Sequence, residues 1–508
     1  MELGCLETPT ISFDPSVTPL LNLPSELVTH ILAYLNFSDL LSVSLVNKAL
    51  REHSLQDTLW QPFVQAEVPG YTVPKPGHMT WRELFQQHHP YWFISRRKIW
   101  FADSPHTGKL LVARYDHRLN AIEAYALGAE RRQPTFLAWD QHPEAIIHTF
   151  SPRVQLDLNA PVIRLNAAAY AEAIGNTGHR LPKEVPMSLY REMPRQSAGL
   201  YSQLLLTKPW LTHITTSATP VWPPLTLPSR QRARNDISPS GLRALGQKPS
   251  LIKELSTCTF RIRKWMEFST RAHGVSMRIG EDITTFASLP KACWTPTARK
   301  PWQGIWCGDY AGHGCEFLLI MQPDHPRPLP ERAEWAMRAR DRAESVSSEG
   351  SWSTAPTDSV SPGEDAGEAM VTADDVGDSV ATLQGAVHSR SEASSAASCS
   401  GEQEETVYQG RIEAVKLTGD PNIPRGEYTF IAPDIGPNGL LRVATEDIFK
   451  GARIVKSVGH IAARGFRDDN YMSSQLILIS HDRLAQYWET FGHVSFYQRV
   501  DIDAFTRV

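Results

Sequence analysis

The sequence is poor in cysteine. Only six cysteines are spread through 508 residues, and no two of them form a C-x-x-C pair. The common kind of structural zinc site therefore has no support in the sequence. So few thiols in so long a chain suit a reducing compartment, in which they stay free. We therefore expect the protein in the cytoplasm, the nucleus or both.

The chain also lacks a long apolar run and a strong charge of either sign. No stretch approaches the roughly 18 consecutive apolar residues that indicate a membrane span. The first residues, MELGCLETPT, lack the basic start and apolar run of a signal peptide. The formal net charge of −4 argues against neutralisation of nucleic-acid phosphates in bulk. We therefore expect neither a membrane nor a nucleic acid as partner.

One long stretch lacks basic side chains altogether. Residues 345–380 consist mainly of Ser, Ala, Gly, Asp and Glu, with no Lys or Arg and one aromatic, Trp352. Such a segment cannot bury enough apolar area to offset the entropy of ordering it. We therefore predict a disordered, acidic and Ser-rich insertion over 323–406. Its start, PERAEWAMRARDRAES, favours a short solvated helix.

Apolar residues at helical spacing crowd the segment 20–66. Leu27, Ile31 and Leu35 follow one another at every fourth position, as on one face of a helix. Two further helices are predicted, one from Ser38 and one from Ser54. Three short helices make a marginal core on their own. Some of their apolar surface should therefore stay exposed for a partner.

The rest of the chain shows short strand patterns separated by Gly and Pro turns. Before the insertion they lie at 98–102, 110–115, 121–127, 304–309 and 316–321, and after it at 408–417, 426–431, 453–458, 475–479 and 493–500. Many short strands of this kind predict a closed antiparallel barrel or a sandwich. Residues 188–208, 256–267 and 482–491 favour helical or mixed structure.

The expected fold class is α+β, a three-helix module followed by a mainly antiparallel β-barrel with long loops and a disordered insertion. The predicted segments are a leader at 1–19, the helical module at 20–66, a helical linker at 67–90, the first part of the barrel with Pro-rich loops at 91–322, the insertion at 323–406, and the second part of the barrel at 407–508. Closing a long loop costs little more than closing a short one, so the insertion can interrupt a single domain.

The helical module resembles the F-box motif. The resemblance rests on Leu23-Pro24, two apolar helical patterns and the late Trp60. It implies a hook that binds a Skp-type adaptor and, through it, the cullin and RING subunits of a ubiquitin ligase. By position it implies adaptor binding, at or just beneath the interface, by Leu23, Pro24, Leu27, Ile31, Leu35, Leu40, Val46 and Trp60. The alternative is an ordinary helical subdomain buried against the rest of the chain.

A second resemblance covers the β region. The runs RKIWFADSPHTGKLLVARYDHRLNAIEAY, PWQGIWCGDYAGHGCEFLLI and SVGHIAARGFRDDNYMSSQLILISHDRL are similar to the region after the F-box in a group of fungal F-box proteins. They are also similar to the barrel of the vertebrate F-box-only protein family that captures cyclin D. The resemblance implies a substrate receptor whose barrel holds a protein or peptide for ubiquitination and proteasomal degradation. It implies no catalytic residue and no cofactor.

Five residues are candidates for substrate contact: Trp306, Tyr310, His313, Arg464 and Arg467. The two arginines lie in the turn-forming run ARGFRDDNY, and a polar loop at a barrel rim suits peptide binding. The run Gly304-x-Trp306 also resembles the start of a lipocalin barrel. That resemblance implies an alternative function, a barrel for a small apolar ligand whose turnover the F-box controls.

A third interpretation is that the β region is an enzyme. In the run GHGCE, His313 and Cys315 share one face of a strand because alternate residues point the same way. A metal site or a thiol nucleophile is conceivable there, as is a barrel enzyme that uses His313 and Glu316. However, no second ligand cluster accompanies them in the sequence. We therefore predict no metal and no catalytic activity.

Overall fold

The computed structural model describes residues 19–102, 108–133, 135–175, 181–182, 184–187, 189, 198–209, 248–270, 275–310, 314–348 and 407–508. Almost all of the predicted leader and the insertion from 349 onward lie outside these residues. The helices are α1 Ser25–Leu32, α2 Phe37–Val43, α3 Lys48–Ser54, α4 Asp57–Glu67, α5 Trp81–His88, α6 Phe93–Arg97, α7 Ala167–Gly175, α8 Lys291–Trp294 and α9 Glu331–Ser348.

The strands fall into two large sheets and one small one. Those before residue 290 are β1 Ile99–Ala102, β2 Leu110–Asp116, β3 Ala121–Glu130, β4 Phe136–Leu137, β5 Ile147–His148, β6 Arg153–Leu165, β7 Glu184–Pro186, β8 Ala198–Leu206, β9 Thr259–Thr270 and β10 Val275–Ser288. Those after it are β11 Gly304–Asp309, β12 Cys315–Met321, β13 Ile412–Lys416, β14 Tyr428–Ala432, β15 Leu440–Val443, β16 Arg453–Ala463, β17 Arg467–Ser480, β18 Arg483–Trp488 and β19 His493–Arg499.

The helical module at 20–66 contains four helices rather than three. Asn36 and Asn47 precede α2 and α3, and each side-chain amide oxygen accepts a hydrogen bond from a backbone N–H in the first turn that follows. An asparagine at this position begins a new helix because it satisfies a backbone donor that has no partner within the helix. The predicted second helix is therefore interrupted at Asn47.

Eight strands between Ile99 and Ser288 form an open antiparallel sheet in the order β6-β3-β2-β1-β10-β9-β8-β7. Its two faces bury different partners because successive side chains on a strand point in opposite directions. On β1, Trp100 packs with the N-terminal helices, whereas Ile99 and Phe101 pack with the barrel. The open sheet is therefore the layer between the helical module and the barrel.

The barrel is a closed ring of eight antiparallel strands, β11–β14 and β16–β19, and the pairing of β14 with β16 closes it. Strand β15 pairs with β16 as an extra strand. Our prediction placed the first part of the barrel at 91–322, but its strands begin only at Gly304. The strands before residue 290 lie in the separate open sheet, because alternation alone does not say which sheet a strand joins.

Three segments predicted as helical or mixed contain strands. They are β8, β9 and β18, which lie within or across 188–208, 256–267 and 482–491. In β9, Phe260 and Ile262 are buried in the core that the helices share, and basic residues alternate with them. The alternation of apolar and polar residues that is typical of a strand was present in this segment, but the many basic residues made it hard to recognise.

The start of the predicted insertion is a packed helix, not a solvated one. Ala333 and Ala336 of α9 are buried against β14, β16 and β17 of the barrel. Arg340 fixes the next turn, since its guanidinium donates to the Ser474 carbonyl at 2.8 Å and pairs with Glu489 at 3.0 Å. Because Ala333 and Ala336 are small, the helix can lie close to the barrel. The sequence therefore shows no stripe of large apolar residues that would predict this contact.

The barrel interior holds a buried ion cluster. Lys416 Nζ lies 2.8 Å from Glu316 Oε2 and also pairs with Asp420. Burial raises the pKa of Glu316 to about 8, because Lys416 compensates only part of the cost of burying the charge. Asp420 pairs with the same lysine, and the pKa of its carboxyl group is lowered although the group is buried. Near neutral pH the cluster therefore holds one carboxylate and one carboxylic acid.

This cluster predicts how stability depends on pH. Between the ordinary value of 4.5 and about 8, the folded chain binds the Glu316 proton while the unfolded chain has released it. The free energy of unfolding should therefore fall as the pH rises through this window, by about 1 kcal/mol per pH unit. Glu316→Gln stays neutral and should flatten the slope in urea unfolding at pH 5 to 8. Glu172→Gln, at an exposed position, should keep the wild-type slope. Equal slopes in the wild type and both variants would contradict the raised pKa of Glu316.

Candidate functional site

The N-terminal helices expose a set of large apolar side chains, here called the apolar face. Its members are Leu23, Leu27, Ile31, Tyr34, Leu41, Leu45 and Val46. Leu45 is 86% exposed and Tyr34 is 79% exposed, which is unusual for side chains of this size. Several such residues on adjacent short helices indicate a surface that a partner covers.

The predicted adaptor residues divide between this surface and the core beneath it. Leu23, Pro24, Leu27, Ile31 and Val46 are exposed. Leu35 is half-buried, and Leu40 and Trp60 are buried. The last three therefore support the surface and do not offer a direct contact in this conformation.

Trp60 is the base of the helical core. Its indole Nε1 donates to the Ser54 carbonyl at 3.0 Å, and its ring lies 6.0 Å from Phe37 and 5.8 Å from Phe85. Through Phe85 on α5 the small module joins the larger core of the open sheet. This contact fixes the orientation of the apolar face.

A cleft of about 140 Å³ lies beside the apolar face, between α2, α3, α4 and α5. Leu41 and Leu45 line one side, Trp60 lies at the base, and Arg51 and Arg82 also line it. Sequence reasoning missed Tyr34, Leu41 and Leu45 as surface residues. The spacing of Leu41 and Leu45 by four positions was the signal that could have found them.

Two of the predicted substrate residues lie within the barrel. Trp306 is fully buried, its Nε1 donates to the Trp302 carbonyl at 2.9 Å, and the Arg499 guanidinium lies 5.1 Å from its ring. Tyr310 is half-buried, with its hydroxyl 2.7 Å from Thr429 Oγ1 and its ring 4.5 Å from Lys416 Nζ. Trp306 is therefore a core residue, which corrects its prediction as a contact. His313 lies outside the described residues.

The other two predicted residues are accessible. Arg464 and Arg467 are exposed on the hairpin between β16 and β17, where Arg467 Nε donates to the Arg464 carbonyl at 3.1 Å. Gly465 and Phe466 between them have φ of 81° and 58°. Left-handed backbone at a residue other than glycine costs energy and often marks a functional turn. This hairpin is called the rim hairpin below.

A cavity of about 380 Å³ adjoins the rim hairpin. It is lined by Arg332, Trp335, Asp468, Asp469 and Asn470. Trp335 is 62% exposed although it belongs to the helix that packs on the barrel. Sequence reasoning missed it, because the surrounding residues placed it in the insertion.

Cys315 and Glu316 are neighbours on β12, but they contact different parts of the molecule. Cys315 packs with the core shared by the barrel and the open sheet, whereas Glu316 pairs with Lys416 in the interior. The two side chains therefore point to opposite faces of β12. Across the part of the chain that the structure describes, no three His, Cys, Asp or Glu side chains come together as metal ligands.

Two family models match the chain. Residues 20–66 match the family described as F-box-like, which spans α1 to the last turn of α4. Residues 286–504 match the family described as Cyclin D1 binding domain. The chain is an F-box protein. A search of curated proteins finds no match.

The matches of this F-box protein leave the open sheet between them. The second match contains the whole barrel together with α8 and α9. It includes only the end of β10 from the open sheet. Among the described helices, none is both long and apolar enough to cross a membrane. The fungal origin that the sequence suggested stays a prediction.

The split between surface and core residues in the F-box predicts a large effect on stability for a core residue and a small one for a surface residue. Leu40→Ala should lower the free energy of unfolding by about 2–5 kcal/mol, because it leaves a cavity in a small core. Leu45→Ala should change it by less than about 0.5 kcal/mol, because the side chain is exposed. Urea unfolding of both variants measures the difference. A large loss for Leu45→Ala would show that its side chain is buried in solution.

Proposed function

We propose that this F-box protein is the substrate-recognition subunit of a Skp–cullin–F-box ubiquitin ligase, acting in the cytoplasm or nucleus. Its apolar face binds a Skp-type adaptor and, through it, the cullin and RING subunits. Its barrel binds a segment of a protein that is then ubiquitinated and degraded. The observation that supports this most directly is the exposure of the apolar face on the F-box helices.

Burial of the apolar face would drive adaptor binding. Covering one large apolar side chain stabilises a complex by about 1.5–3 kcal/mol. The exposed members of the face together contribute a gross gain that offsets the cost of association, and only the surplus appears as affinity. A charge placed within this face would have to lose its water without gaining a partner.

The proposed chemical role is positioning. Holding a substrate lysine near a ubiquitin thioester raises its effective concentration, and no side chain of the receptor has to react. A fixed distance between adaptor and substrate serves this role. In the structure, Arg131 pairs with Asp309 and Lys98 pairs with Asp503, which ties the open sheet to the barrel and to the C-terminal end of the chain.

For the substrate site we propose the rim hairpin and the adjoining cavity. Arg464 and Arg467 are exposed there, and Trp335 offers a large aromatic surface. The name of the matched family states that its members bind cyclin D1. A protein segment of the cyclin type is therefore the first ligand to test for this chain.

The alternative of a small apolar ligand finds less support. Trp306, Leu318, Phe430 and Tyr497 are buried together in one cluster with side chains from neighbouring strands. Gly459 adds to this density, since a Cβ there would lie 2.2 Å from the ring of Trp488. These described side chains occupy the space that a lipocalin-like ligand would need.

The adaptor interface can be tested by charge substitutions. Leu27→Asp and Ile31→Asp should each weaken binding of a purified Skp-type adaptor at least tenfold, because a carboxylate would be desolvated in an apolar interface. Biolayer interferometry on the full chain measures the affinity. Leu158→Asp on the exposed part of β6 adds the same charge elsewhere and should bind like the wild type. Wild-type affinity in the two F-box variants would refute the interface.

The substrate site can be tested with recombinant cyclin D1 as the probe. Arg464→Glu combined with Arg467→Glu should weaken its binding at least tenfold, because both basic side chains of the rim hairpin become acidic. Adaptor binding by the same variant should stay unchanged, and Arg153→Glu on β6 is the matched control. Unchanged cyclin binding in the double variant would remove the rim hairpin from the site. Failure of the wild type to bind cyclin D1 would refute the substrate class.

A further inference from the structure

A groove of about 830 Å³ lies on the helical side of the open sheet. Its walls come from the turn after α5, from α7 and from residues 250–252. Tyr170 and Ile174 line one wall, and Leu251 and Ile252 line another. Ile174 is 47% exposed and Leu251 is 52% exposed, so apolar surface faces the groove without cover from the described residues.

The described lining of the groove carries no charged side chain. None of the described residues that line it is Asp, Glu, Lys or Arg. Its polar side chains are Gln86, Gln87, His89, Tyr91, Tyr170 and Ser250. Burial holds the pKa of His89 below its ordinary value, so this ring is neutral at pH 7. The lining therefore disfavours a charged ligand and suits an apolar one.

One buried polar group in the groove has no hydrogen-bond partner among the described residues. Tyr91 is 3% exposed, and its ring stacks on Tyr170 at 4.9 Å. The hydroxyl of Tyr91 makes no hydrogen bond to the part of the chain that the structure describes, whereas the Tyr170 hydroxyl lies 2.9 Å from His88 Nδ1. Leaving a buried hydroxyl unpaired costs about 1–3 kcal/mol. This hydroxyl has almost no accessible area, so a ligand's hydrogen-bond acceptor would recover that cost once a small side-chain shift admits it.

The groove adjoins the F-box cleft. Gln86 lines both of them, and α5 forms part of the wall of each. Helix α5 has eight residues and is therefore about 12 Å long. A protein bound to Leu41 and Leu45 thus needs only a few further residues to reach Tyr91. This continuity favours one partner for both surfaces over an unrelated small molecule.

We propose that the groove binds an uncharged, apolar segment of the same adaptor that covers the apolar face, with a backbone carbonyl of that segment accepting a hydrogen bond from Tyr91. This inference rests on the proposed function and names a second part of its interface. The volume falls within the roughly 300–1,000 Å³ of typical ligand pockets. A segment of a few apolar residues fits that space.

Adaptor affinity of the full chain tests the groove. Ile174→Asp and Leu251→Asp each place a charge in the groove and should weaken binding at least tenfold. Tyr91→Phe removes only the unpaired hydroxyl and should weaken binding about threefold to tenfold. Its thermal midpoint should stay the same or rise, since the free chain loses an unpaired group. Leu158→Asp outside both surfaces should bind within twofold of the wild type.

Three results would overturn the inference, and they are distinguishable. Wild-type affinity in both groove variants, with binding lost in Leu27→Asp, would remove the groove and leave the proposed function standing. Wild-type affinity in Leu27→Asp would refute the proposed function and with it the partner of the groove. Extra mass on the purified chain in native mass spectrometry, absent from Ile174→Asp, would show a small apolar ligand instead. Thermal midpoints of the exposed-site variants close to the wild type would exclude misfolding as the cause.

Discussion

Strand β1 is buried on both faces, and this two-sided burial holds the molecule together. Trp100 packs with the helices, and Ile99 and Phe101 pack with the barrel. A sheet covered on both sides cannot shift relative to either layer without exposing apolar area to water. The F-box and the barrel are therefore held apart at a fixed distance by a layer of which only the end of β10 lies within a matched family.

That fixed distance gives the F-box its orientation. The four short helices are too few to make a stable core alone. They share the core of the open sheet, to which Trp60, Phe85 and Trp92 belong. The apolar residues that this shared core does not use remain on the outside. The same residues that make the F-box marginal as a domain thus make it effective as a binding surface.

The sequence allowed the F-box to be predicted in some detail. The spacing of Leu27 and Ile31 correctly placed a helix, and the motif gave its family. The interruption at Asn47 was missed because an asparagine within an apolar run looks like a tolerated polar residue. The sequence could not show whether Trp60 and Leu40 are buried or exposed, because apolar residues that face the core and those that face a partner recur at the same helical spacing.

The β region was predictable as strands but not as two sheets. Alternation locates a strand, while pairing between strands such as β1 and β10 joins residues almost 190 positions apart. The groove was not predictable for the same reason, since Tyr91, Ile174 and Leu251 come from distant parts of the chain. Helix α9 was predicted, but its packing on the barrel was missed, because Ala333 and Ala336 pack by being small.

Hydrogen–deuterium exchange of the full chain, with and without a purified Skp-type adaptor, tests the central claim most directly. The account predicts slower exchange in α1 to α3 and in the turn after α5 when the adaptor is present. The barrel strands should exchange at an unchanged rate. Protection confined to the barrel, with none in the F-box helices, would contradict the account.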